Sequence, residues 1–155
     1  MNSPTMKTFA DDRLADGESC MVVDLSDCTG MDSTFMGTLA GIAARLAEHS
    51  GCLQIAEPGE RNRRSLEDLG LDFLMEIEPS DAAWKPHLSQ IRSLVEPATP
   101  NTPFGSVQRT RHVLEAHQTL ADLNAQNAKT FSTVVDLLQN ELITRQPPES
   151  PPTGS

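Results

Sequence analysis

Aromatic side chains are scarce in this chain: among 155 residues there is no tyrosine, one tryptophan and five phenylalanines. A core must therefore be built from Leu, Ile, Val, Met and Ala. Basic residues are also few. Twelve Lys and Arg face 22 Asp and Glu, for a net charge of −10, which argues against a nucleic-acid surface and an anionic membrane as partners. No apolar run approaches the ~18 residues of a bilayer span, and no basic-then-apolar leader is read at the start. Cysteine is limited to Cys20, Cys28 and Cys52, an odd, unclustered set that fits reduced thiols and a cytoplasmic chain. From 107 to 144 glycine and proline are both absent, so nothing there interrupts a helix.

Ser3-Pro4 followed by Met6, Phe9, Ala10 and Leu14 predicts a short helix stopped by Asp16-Gly17. Cys20 to Leu25 is a short apolar run that suits a strand covered on both faces. From Ser33 to Glu48 the apolar residues recur with helical period, and Gly37 and Gly41 would let that helix approach the sheet closely. Cys52–Ala56 and Phe73–Ile77 predict two more strands, with a helix over Arg61–Leu69 between them. Strands alternating with helices imply an α/β fold with a mostly parallel sheet. Its binding loops are expected at the C-terminal strand ends.

Five prolines fall between 79 and 106, so this stretch is read as an irregular connector, with a short helical piece around His87 to Val95. A single helix over 107–144 would extend about 55 Å, so it must fold back near Asp122-Leu123-Asn124 or protrude. Its apolar stripe suits either a core helix over the sheet or a self-association surface within 107–144. The Pro/Ser-rich tail from 146 to 155 is expected to be disordered.

One segment carries chemistry. Met21 to Leu25 leads through a polar loop to Met31-Asp32-Ser33-Thr34-Phe35-Met36-Gly37, placing Ser33 at a strand-to-helix junction. Free backbone N–H groups and the positive end of the helix dipole favour a phosphate there. A phosphate would add about −1.5 to −2 charge beside Asp24, Asp27 and Asp32. The plainer role for Asp32 or Ser33 is that of an N-cap.

These residues resemble the STAS domain of anti-sigma-factor antagonists. Val22-Val23-Asp24-Leu25-Ser26 is similar to the strand end, and Met31-Asp32-Ser33-Thr34 to the phosphoacceptor motif. Asn62 to Asp72 is similar to the following helix and turn, and Phe73–Ile77 to the strand after it. The resemblance covers residues 3–78 and implies phosphorylation at Ser33, with Thr34 as the fallback hydroxyl. It further implies a partner that is both anti-sigma factor and serine kinase, contacting Asp32, Ser33, Thr34, Phe35 and Met36. The ATP belongs to that partner, so no cofactor and no enzymatic activity are expected of this chain. Two departures stand out. Phe35 replaces a usual glycine, either altering the kinase contact or anchoring the partner. The family's domains also open with one or two strands ahead of the first helix, whereas this chain starts almost directly at that helix.

Other chemistry finds little support. Asp24, Asp27 and Asp32 match no recognised metal loop. His49, His87, His112 and His117 do not pair, since 112 and 117 fall on different sides of a helix. No set of side chains has a spacing that suggests nucleophilic catalysis. The expected organisation is a STAS-like domain over 1–78, a connector over 79–106, a helical extension over 107–145 and a tail over 146–155. The expected function is partner switching controlled by phosphorylation. Its rivals are a scaffold module without phosphate chemistry, in a signalling assembly or beside a membrane transporter, and a small-ligand binder at the strand-end loops.

Overall fold

A computed structural model describes residues 3–94 and 106–145. The elements run α1 (Ser3–Ala15), β1 (Cys20–Asp24), α2 (Ser33–Glu48), β2 (Cys52–Ala56), α3 (Gly59–Asp68), β3 (Glu76–Ile77), α4 (Leu88–Leu94), α5 (Ser106–Leu123) and α6 (Ala125–Arg145). The sheet is three-stranded and parallel, ordered β1-β2-β3. Cys20 to Asp24 pair in register with Cys52 to Ala56. The α/β architecture with a helical C-terminal region is the one the alternation of periods implied.

The core lies on the α1–α2 side of the sheet. Leu39, Leu46, Leu53, Ile55, Leu66 and Leu71 are fully buried there, joined by Met6, Ala10 and Met36. Aliphatic side chains and methionine thus supply what scarce aromatics cannot. Phe9, expected on the apolar face of α1, is half exposed, with the Arg13 guanidinium 5.3 Å from its ring.

Three local expectations change. β1 is not covered on both faces: Val22 is 42% exposed, and Cys20 and Asp24 point the same way. Among the described residues that face receives polar contacts from the segment after β3, where Trp84 Nε1 donates to Gln54 Oε1 at 2.6 Å and Arg92 pairs with Asp24. β3 shrinks to Glu76–Ile77, because Gly70 at φ +77° turns the chain into a 3-10 turn over Leu71–Phe73. The amides of Leu74 and Met75 both bond the Leu71 carbonyl, leaving Phe73 89% exposed.

The third change concerns α2. Gly37 does bring its helix close to a neighbour, but the neighbour is α5: a Cβ there would lie 2.2 Å from the Ala116 carbonyl oxygen. Gly41 faces open space. The C-terminal helices form a hairpin that packs on α2 through α5. Of the two expected outcomes, fold-back or protrusion, the helix folds back, at Asn124, whose side chain caps α6 by accepting from the Asn127 amide at 2.8 Å. Leu120 and Phe131 carry the hairpin into the core. The helix inside the connector is Leu88–Leu94, and the tail from 146 lies outside the described residues.

Candidate functional site

The loop leaving β1 is held before α2 begins. The Leu25 amide bonds the Ala56 carbonyl, extending the strand pairing by one residue, and the Cys28 amide turns back to Leu25 O. From α3, Asn62 Nδ2 reaches across to Cys28 O at 2.8 Å. Asp24 accepts the Ser26 amide at 3.0 Å and two bonds from Arg92, at 2.6 and 2.9 Å. Those bonds from Arg92 hold the Asp24 carboxyl below its usual range. Arg92 also bonds Glu57 at the end of β2, so one cation ties two strand ends together. Asp24 is therefore an ion-pair partner.

Asp32 is the N-cap of α2, its Oδ1 accepting from the Phe35 amide at 2.8 Å. Ser33 is the first residue of the helix, at the junction where the sequence placed it. Its surroundings are not open solvent. The hydroxyl is part-buried, with Oγ 2.8 Å from Nε2 of His117 on α5. Of the other residues expected at a partner surface, Thr34 and Phe35 are half-buried. Phe35 packs against the core, and Met36 is 8% exposed within it. Asp32, Ser33, Thr34 and Phe35 remain for an incoming protein to touch, and Met36 is a core residue.

His117 is only 5% exposed. Its Nδ1 lies 2.7 Å from Val113 O, one turn earlier, and its ring meets Phe131 edge-on at 5.5 Å and 69°. A carbonyl only accepts, so Nδ1 carries the proton; in the neutral ring Nε2 then accepts from the Ser33 hydroxyl. One turn further along α2, Thr38 Oγ1 donates to Thr34 O at 2.8 Å and lies 3.3 Å from His112 Nε2. The Thr38 proton is thus given to the Thr34 carbonyl. Burial pushes the His112 imidazole below its ordinary value, with Lys7 adding to the effect and Glu115 opposing it.

Sequence reasoning set His112 and His117 on different sides of a helix, yet both reach α2. The Gly37–Ala116 approach brings the helix axes so close that a wide arc of α5 faces α2. His117 was missed as a site residue, and the one signal pointing to it was the Gly37/Gly41 pair, which announces a close approach without naming the neighbour. A cavity of about 310 Å³ opens beside this interface, lined by Lys7, Gly41, Arg45, His112, Glu115 and Asp122 among others. Neither Ser33 nor His117 lines it, and it sits away from the strand ends.

A family model described as the STAS domain matches residues 1–83, slightly more than half of the 155-residue chain. No curated protein matches, and neither does any solved structure.

Proposed function

The chain belongs to the STAS domain family, and from that premise we propose that it is an anti-sigma-factor antagonist working by partner switching. STAS domains occur in such antagonists and also in transporters. Among the described residues no helix is long and apolar enough to cross a membrane. The observation that carries the reading is the position of Ser33: first residue of α2, after the loop from β1, behind an aspartate cap. Unmodified, the surface of Asp32, Ser33, Thr34 and Phe35 binds an anti-sigma factor that is also a serine kinase, freeing the sigma factor. A phosphate on Ser33 adds a dianion beside the Asp32 cap, and the complex comes apart. A coupling of roughly 1–3 kcal/mol, or about 5–150-fold in affinity, is enough for a switch.

The nucleotide belongs to the partner, and this chain supplies the acceptor hydroxyl. The test is incubation with the cognate kinase and labelled ATP, followed by mapping of the phosphopeptide. Label on Ser33 that disappears in Ser33→Ala supports the reading. Label elsewhere, or none, contradicts it.

A further inference from the structure

We infer that His117 is the proton acceptor for chemistry at Ser33 Oγ, so that this chain carries its own base for the modification of its phosphoacceptor. The inference rests on the proposed reading of Ser33 as the modified residue. A serine hydroxyl is a weak nucleophile, and a base within about 2.6–3.2 Å is the ordinary means of activating one. Nε2 stands 2.8 Å from Oγ, its opposite nitrogen anchored to Val113 O at 2.7 Å. That anchor fixes the tautomer with a bare Nε2, the form able to accept the proton. Phe131 against the ring and the Gly37–Ala116 approach hold the imidazole in register with α2.

The neighbouring pair is a useful contrast. Thr38 and His112 also bridge α2 and α5, but there the threonine proton is committed to Thr34 O and the contact is longer, 3.3 Å. Two hydroxyl–imidazole pairs thus span one interface, and of the two it is the one at the helix start whose hydroxyl proton is not already given to a backbone carbonyl.

During transfer from ATP, Oγ attacks the γ-phosphorus and the Oγ–P bond forms. The bond from phosphorus to the ADP oxygen breaks, ADP leaves with the electron pair, and the Oγ proton passes to Nε2. The resulting imidazolium faces the new phosphate, a charge-assisted pairing.

The experiment needs no kinase, so it can fail while partner switching stands, and the reverse. The full chain is treated with diisopropyl fluorophosphate, whose P–F bond breaks as the Oγ–P bond forms, fluoride leaving. The expected result is an adduct on Ser33 that forms at least tenfold faster than on the other serines. It should slow at least tenfold in His117→Gln and keep its rate in His112→Gln. The 15N spectrum of the His117 ring in the native chain guards against a glutamine variant that misfolds: Nδ1 protonated and Nε2 bare is the expected state. Equal labelling in a folded His117→Gln chain, Ser33 labelled no faster than other serines, or a proton on Nε2 in place of Nδ1 would each overturn the assignment.

Discussion

The side-chain amide of Asn127, 1% exposed, donates to the main-chain carbonyl of Leu69 at 2.9 Å, joining the start of α6 to the end of α3. That carbonyl closes a helix whose last residue is Asp68, and Asn124 lies beside the Gly70 turn that follows. The hairpin is therefore bound to the sheet domain by this polar clasp, by the α2–α5 contact and by the Lys7–Glu115 ion pair between α1 and α5 at 2.8 Å.

Replacing Asn127 with Leu should strand the Leu69 carbonyl without a partner. A buried polar group left unpaired costs about 1–3 kcal/mol. Urea unfolding should show a midpoint lowered accordingly with an unchanged slope. A midpoint equal to the native one would mean the clasp contributes nothing.

Gly37 and Gly41 stand one turn apart on α2 and should respond in opposite directions. Gly37→Ala drives a methyl group into the Ala116 backbone, and overpacking of this kind costs roughly 1–3 kcal/mol. Gly41→Ala meets open space within a helix, where alanine is favoured over glycine by up to about 1 kcal/mol. Thermal melts of the two variants should fall on either side of the native chain. The same sign for both would contradict the packing described.

His112 should make stability depend on pH. Burial holds its imidazole below the ordinary 6.5, so between the folded and unfolded values the unfolded chain binds more protons. Stability is then complete above the unfolded value and declines as pH falls through it toward the folded one. Melting curves from pH 8 to 5.5 should show this decline, and His112→Gln should flatten it. Parallel curves for the two chains would contradict the assignment.

Much of the fold was legible because it rests on short-range pattern. The helical period over Ser33–Glu48 returned α2 to the residue, and the run Cys52–Ala56 returned β2. The break at Asn124 is one of the two outcomes that length left open: an uninterrupted helix would outreach a small domain, so it had to fold back near 122–124 or protrude. What the sequence withheld is which surfaces meet. Phe73 reads as a strand residue, yet the left-handed Gly70 turns its segment away from the sheet. Nothing local says that α5 lies on α2, since apolar periodicity shows which face of a helix is buried without saying against what. For the same reason Ser33 was placed correctly at its junction while its contact 84 residues away, His117, was not foreseen.

The central claim is that a phosphate on Ser33 decides whether a partner stays bound. The direct measurement is calorimetric titration of the anti-sigma factor with two preparations of the full chain, one unmodified and one carrying phosphoserine at position 33. Partner switching predicts a loss of affinity of about 5–150-fold on phosphorylation. Identical affinities for the two preparations would contradict it.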